Sequence, residues 1–335
     1  MNRPQTPKPP FDYITESVSV TNQKDNVTLA GTLSIPKGHI KATAILITGS
    51  GPQDRDETIL GHKPFAVIAD HLTTHGIAVL RMDDRGVGQS TGRFGEATTH
   101  DFATDISAAV DFLKQRNDIP AKKIGLIGHS EGGMVAPMVA SRRDDIAFLI
   151  LLAGPGITID KLYSEQRYLI LKASGIDESV LNSVYRGEKR LFKEIRELPI
   201  DKPISDSIKA ELRELHSVFG TNNDSANQLI EFISTPWFRY FMTYNPEDYF
   251  RDITIPVLAL NGTLDLQVAA ESNLNGLQQL FEKYGYKDYT IKPLKQLNHL
   301  FQTAKTGNVN EYRQIEETFS PVALNEMTTW LEKRF

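Results

Sequence analysis

Lys123-Ile-Gly-Leu-Ile-Gly-His-Ser-Glu-Gly-Gly133 decides how the chain is read. A short apolar run ends abruptly at Gly128-His129-Ser130-Glu131-Gly132 and a helix-forming stretch follows, so the segment reads as strand, sharp turn, helix. A serine at the tip of such a turn is held in a strained backbone conformation. Glycines two before and two after it let strand and helix approach without collision. The pattern Gly-x-Ser-x-Gly presents a nucleophilic serine; the competing reading is a glycine-rich turn in which Ser130 only caps a helix.

Outward from this turn, short and nearly all-apolar runs at 42–48, 77–82, 123–127, 147–152 and 256–260 alternate with helix-like stretches. Strands apolar on both faces belong inside a parallel sheet covered by helices. The spacing of Phe65, Ile68, Ala69 and Leu72, and of Ile106, Ala109, Val110 and Leu113, predicts crossover helices over 64–75 and 102–116. Two alternating, β-branched segments at 16–21 and 27–36, separated by Asn22-Gln-Lys-Asp-Asn26, predict an antiparallel N-terminal hairpin at one sheet edge. The fold class is therefore α/β, a mostly parallel doubly wound sheet. Between 156 and 251 the alternation breaks into a charged, helix-rich interval too long for a loop, which reads as a helical cap over the carboxyl edge of the sheet. The expected organisation is an extended, proline-rich segment over 1–12, a core over 13–155, the cap over 156–251, and the rest of the core over 252–335.

Composition excludes several function classes. The 42 acidic and 37 basic residues are interspersed and leave a net charge of −5, which gives no footprint for nucleic acid. There is no cysteine, so disulfides, thiolate metal sites and cysteine nucleophiles are out. The longest apolar run, 146–154, is too short to span a bilayer. The first residues lack a signal-peptide pattern, so the chain as written reads as soluble and cytoplasmic, or exported if a signal segment has been removed. His71 and His75 lie four apart on a predicted helix, but no carboxylate or cysteine completes a metal motif, and no metal or cofactor is expected.

A serine nucleophile needs a base, and the base needs a buried acid to set its tautomer and stabilise its cation. After the run at 256–260 comes Asn261-Gly-Thr-Leu-Asp265, which places Asp265 in a loop at a strand's carboxyl end. After the last strand-like run, 289–294, comes Leu297-Asn-His299, so His299 is the candidate base. The order Ser130, Asp265, His299 puts all three on loops at one sheet edge. The developing oxyanion calls for two backbone donors. One is the amide of Glu131; the other comes from Gly49-Ser-Gly-Pro-Gln-Asp-Arg-Asp56, where Ser50 is the first choice and Gly51 the next. Within the cap interval, Trp237, Phe238, Tyr240 and Phe241 are candidate pocket-lining residues.

With these residues in place, the sequence resembles the α/β-hydrolase superfamily and, within it, bacterial serine carboxylesterases related to the dienelactone-hydrolase and prolyl-peptidase branches. The resemblance runs from about Asn26 to the C-terminus apart from the cap. It is carried by Gly49-Ser-Gly-Pro-Gln-Asp-Arg-Asp56, Lys63-Pro-Phe65, Arg81-Met-Asp-Asp-Arg-Gly-Val-Gly-Gln-Ser90 and Gly128-His-Ser-Glu-Gly-Gly133. It implies an acyl-enzyme mechanism on a small-molecule ester without metal, with the 81–90 turn as structural support for the active edge. One departure stands out: many relatives carry His-Gly at the oxyanion loop, whereas Thr48 precedes Gly49 here, so the loop must draw its support from elsewhere. The same triad serves amides and thioesters, and a ligand-binding protein on a hydrolase scaffold is a third reading.

Overall fold

The structure, a computed structural model, describes residues 2–219 and 223–335. Eight strands form one sheet: β1 (Ile14–Asn22), β2 (Val27–Ile35), β3 (Ala42–Ile47), β4 (Ile77–Met82), β5 (Ile124–His129), β6 (Leu149–Leu152), β7 (Val257–Gly262) and β8 (Tyr289–Leu294), in the spatial order β1-β2-β4-β3-β5-β6-β7-β8. The predicted hairpin is present, with Ile14 opposite Ile35 and Asn22 opposite Val27. β2 joins β4 antiparallel, and every later pairing is parallel. β3, β5, β6 and β7 are buried at every position, as expected of strands covered on both faces.

The covering helices are α1 (Pro64–Thr74), α2 (Thr99–Lys114), α3 (Gly132–Ala140), α10 (Ala270–Lys283) and α11 (Pro321–Glu332), while α4 (Ile159–Ala173), α5 (Glu178–Glu197), α6 (Asp206–Ser217), α7 (Asn223–Ile233), α8 (Pro236–Phe241) and α9 (Glu247–Phe250) are inserted between β6 and β7. α1 packs with α11, and α2 with α3. α2 starts earlier than the apolar spacing alone indicates. Thr98 caps it, and Asp101, three residues on, accepts the Thr98 amide at 2.7 Å, closing a capping box.

The inserted helices run over 159–250, of which 220–222 lie outside the described residues. It is knit by a buried polar cluster: Glu188, 1% exposed, takes Arg167 Nε at 2.9 Å and meets His216 Nε2 at 3.0 Å, tying α4, α5 and α6 together. The start of the chain differs from expectation. Instead of standing off as an extended segment, it is pinned to the core: Arg3 donates to Leu60 O and Arg313 O, both at 3.0 Å, and Gln5 Nε2 to Phe319 O at 2.8 Å. Prolines disfavour regular structure there, but they do not prevent neighbouring polar side chains from anchoring the backbone.

Candidate active site

Ser130 sits between the end of β5 and the start of α3 with φ of 53°, a left-handed conformation that side chains rarely adopt. Its amide donates to Leu152 O at 2.9 Å and its carbonyl accepts from Gly133 at 2.9 Å, so the neighbouring strand and the first helical turn hold the strain in place. The glycines are required by proximity. A Cβ on Gly128 would stand 2.0 Å from Gly132 O, and one on Gly132 would stand 2.2 Å from Ile47 O.

Asp265 follows β7 by three residues and is buried. Its Oδ1 accepts the amides of Gln267 at 2.8 Å and Val268 at 2.9 Å, which leaves Oδ2 aimed at His299 Nδ1, 2.8 Å away. A proton on Nδ1 satisfies that contact and leaves Nε2 with its lone pair. His299 is positioned from behind by Asn298, whose Oδ1 accepts the amides of Leu300 at 3.0 Å and Gln302 at 2.9 Å. Ser130 and His299 line one cavity of about 210 Å³.

Opposite the elbow lies the loop after β3. A Cβ on Gly49 would come within 3.3 Å of Ser130 Cβ, so the loop runs beside the nucleophile candidate. The Gly49 amide itself is committed to Glu57 Oε1 at 2.7 Å. Among the described residues, the amides of Ser50, Gly51 and Glu131 donate to no backbone carbonyl. Ser50 and Glu131 line the cavity with Ser130, whereas Gly51 is not among its walls. This favours the first choice over the second for the loop donor.

The loop's support comes from two acids. Glu57, buried and itself at φ of 51°, also meets His129 Nδ1 at 2.9 Å, and His129 Nε2 meets the carbonyl of His299 at 3.0 Å. Burial alone would depress the His129 pKa, but the Glu57 carboxylate, the His299 carbonyl and the charge of Asp265 outweigh it and hold the imidazole above its usual range. Both ring nitrogens face oxygen atoms, as suits an imidazolium, and His129 links the loop, the elbow and the His299 segment. At the start of the same loop, Thr48 Oγ1 lies 2.8 Å from Asp84 Oδ1, and at its end the Gln53 amide donates to Asp84 Oδ2 at 3.0 Å. Thr48 thus finds its partner on the 81–90 turn. That turn is braced by Arg55 Nη2 on Asp83 at 2.7 Å and by Arg85 Nε on Asp105 at 2.7 Å.

The cavity's upper wall is aromatic and comes from the insertion: Tyr163, Phe232, Trp237, Phe238 and Phe241 line it, with Leu162 and Gln166. Tyr240 does not. It borders a separate cleft beside Thr98 and Ile204, with its ring centroid 6.1 Å from that of His100. At about 100° per residue, 237, 238 and 241 share one arc of α8 and 240 falls outside it. Trp237 also reaches the elbow: its Nε1 donates to Glu131 Oε1 at 3.0 Å, and Thr99 Oγ1 donates to the same oxygen at 2.7 Å. Glu131 Oε2 is buried without a hydrogen-bond partner. Burial raises the Glu131 pKa against the pull of Thr99, Trp237 and Ser50, so the carboxyl is held toward its neutral form.

The sequence points to Ser130, Asp265 and His299 through strand ends, and to the 81–90 turn that carries Asp84 as support for the active edge, but not to the roles of Glu57 and His129. No spacing rule connects Glu57 to a histidine 72 positions away.

A sequence profile of the family described as serine aminopeptidase, S33 matches residues 63–303. Esterase EstD of Thermotoga maritima is 26% identical over 310 residues, covering 91% of this chain; the chain spans 66% of EstD's own length. Among solved structures, the α/β hydrolase GrgF of Penicillium sp. sh18 superposes with a TM-score of 0.59 at 20% identity, covering 96% of this chain and 98% of GrgF. The Pyrococcus furiosus esterase Pf2001 gives 0.59 at 20% identity, covering 96% and 91%. At such identities the structural likeness speaks to the fold.

Proposed function

Because the chain belongs to the S33 serine aminopeptidase family and has the α/β-hydrolase fold, we propose that it is a serine carboxylesterase acting on small to medium acyl esters. The observation that carries this reading is the cavity shared by Ser130, on its strained turn, and His299, which is paired with Asp265 behind it. Ser130 Oγ attacks the ester carbonyl and passes its proton to His299 Nε2, while Asp265 stabilises the resulting imidazolium through Nδ1–H. The amides of Glu131 and Ser50, with Gly51 as the alternative, receive the oxyanion. His299 then returns the proton to the departing alkoxide. Water repeats the sequence on the acyl-enzyme and releases the acid, regenerating Ser130.

The insertion over 156–251 acts in this reading as the cap, and Trp237, Phe238 and Phe241 as the acyl-side wall. Ester over aminopeptide is favoured by the cavity's carboxyl groups. Recognising a free amino terminus takes an ionised carboxylate with a vacant lone pair. Of the acids lining the cavity, Glu57 is committed to Gly49 and His129, and Glu131 is held toward its neutral form. The absence of a cationic wall residue among those described, apart from His129 with its own partner, also fits neutral acyl groups.

The test is labelling by a fluorophosphonate with mass location of the adduct, together with turnover of matched p-nitrophenyl esters, aminoacyl amides and thioesters. A Ser130 adduct with ester preference is the expected result. Turnover retained in Ser130→Ala would sink the mechanism, and preference for the aminoacyl amide would move the assignment to a peptidase.

A further inference from the structure

Beneath the oxyanion loop lies a small internal cavity of about 30 Å³, walled in part by Thr48, Gly49, Asp83, Asp84, Asp105 and Glu131. Four acids line it, Asp83 and Asp84 after β4, Asp105 on α2 and Glu131 at the head of α3, and a fifth, Glu57 of the loop, stands close enough to repel Asp84. Three of them have a dedicated cation. Arg55 forks onto Asp83 with Nε at 3.0 Å and Nη2 at 2.7 Å; Arg85 holds Asp105 through Nε at 2.7 Å and Nη2 at 2.8 Å; and His129 meets Glu57 at 2.9 Å. Asp84 and Glu131 have none. An oxyanion hole exists to favour negative charge, and uncompensated carboxylates below it would oppose that in a medium where charges are poorly screened.

Building on the esterase reading, we propose that Asp84 is a positioning residue for the oxyanion loop, clamping Thr48 to Gln53 as a neutral carboxylic acid, and that its ionisation weakens the hole. The geometry suits the acid. One oxygen accepts the Gln53 amide at 3.0 Å; the other lies 2.8 Å from Thr48 Oγ1, which donates to it when the carboxyl is ionised and, having lone pairs of its own, can instead accept the proton of the neutral acid. The backbone adds a third tie, Asp84 N to Gln53 O at 3.1 Å. Loss of the proton leaves the clamp standing but places a charge below Gly49 and Ser50, where the tetrahedral intermediate's own charge develops. Burial, with Glu131 and Glu57 adding repulsion, pushes the Asp84 carboxyl up to about 8 against its bonds to Thr48 and Gln53, so the change falls in the mildly alkaline range.

Asp84→Asn reproduces the neutral acid, with an oxygen for Gln53 and an N–H for Thr48, and cannot ionise. The experiment is kcat and KM for a short-chain p-nitrophenyl ester from about pH 6 to about pH 10 for wild type, Asp84→Asn and Asp84→Ala. The wild type is expected to lose kcat as pH rises past about 8. Asp84→Asn should stay within about tenfold of wild type at neutral pH and lose that alkaline decline, whereas Asp84→Ala should drop kcat about 10²-fold at all pH values with little change in KM. An alkaline limb in Asp84→Asn identical to the wild type, or a folded Asp84→Ala with wild-type kcat, would overturn the proposal. A second readout needs no turnover: the infrared difference between wild type and Asp84→Asn should show a protonated carboxyl band at neutral pH that vanishes in alkali. Its absence at neutral pH also overturns the proposal. An inert wild type would instead count against the esterase reading, with Asp84 still decided by its carboxyl band.

Discussion

A serine hydroxyl is a weak nucleophile at neutral pH, so what Ser130 can do depends on what His299 takes from it, and what His299 can take depends on Asp265. Such a set acts as a unit. Ser130→Ala and His299→Ala are each expected to lower kcat/KM about 10⁴-fold or more, Asp265→Asn somewhat less, and the Ser130→Ala/His299→Ala double variant no further than either single change. Steady-state kinetics on a p-nitrophenyl ester checks this, and additive losses in the double variant would show that the two residues do not share a step. The Glu57–His129 pair is a different case, because neither group has a place in the reaction as written. Its role is to hold three segments together through a buried ion pair whose value lies in not being broken. Glu57→Ala strips the partner from both the Gly49 amide and a buried imidazolium. The expected cost is about 3 kcal/mol, read as a lower denaturant midpoint, with a fall in kcat larger than any rise in KM. A variant as stable as wild type would mean that water replaces the carboxylate freely.

The elbow and α8 meet through one hydrogen bond, and it sets how the helix can be tested. Trp237→Phe keeps an aromatic ring beside Phe241, whose centroid lies 4.9 Å from that of Trp237, but removes one of the two donors to Glu131 Oε1, leaving Thr99 on that oxygen. A loss of about 1–2 kcal/mol in stability is expected. Trp237→Ala removes the wall itself and should raise KM for longer acyl esters about tenfold while leaving the acetyl ester nearly unchanged; equal effects on both would remove Trp237 from the acyl wall. The same helix marks where the sequence stopped being legible. The strands of the sheet are apolar on both faces and announce themselves, and candidate chemistry placed just past their ends came out at Ser130, Asp265 and His299 together. In the insertion the longer helices, α4 to α7, are amphipathic, so periodicity says which residues share a face but not which faces turn toward the active edge. Aromatic character alone groups Tyr240 with Trp237, Phe238 and Phe241. The N-terminal segment failed for a related reason: its prolines are visible in sequence, while the carbonyls that Arg3 and Gln5 reach lie some 310 positions away.

Over the whole molecule, the buried acids make stability as well as activity depend on pH, and the direction follows from the shifts. Asp83 is held below its ordinary range because Arg55 outweighs the effect of burial, so its contribution is present above the unfolded-state pKa and is lost as pH falls through the lower folded-state value. Asp84 runs the other way. Its folded-state pKa, pushed up to about 8 from 3.8 mainly by burial, means that the native state keeps a proton the unfolded chain has already released. That contribution is fully present below the unfolded-state pKa and declines as pH rises, until it is gone once the folded state also ionises near 8. Glu131, raised by burial, and His129, raised by Glu57 and its other partners against burial, add the same sign. The wild type should therefore lose stability between about pH 5 and about pH 8. Asp84→Asn removes one contributor without disturbing the clamp, so its stability relative to the wild type should climb across that window and level off above it. Urea midpoints for the two proteins at about pH 5, 7 and 9 measure the difference directly. A constant gap between them would show that Asp84 titrates alike in the folded and unfolded chains, and the acids below the loop would then need a cation that the fold does not place there.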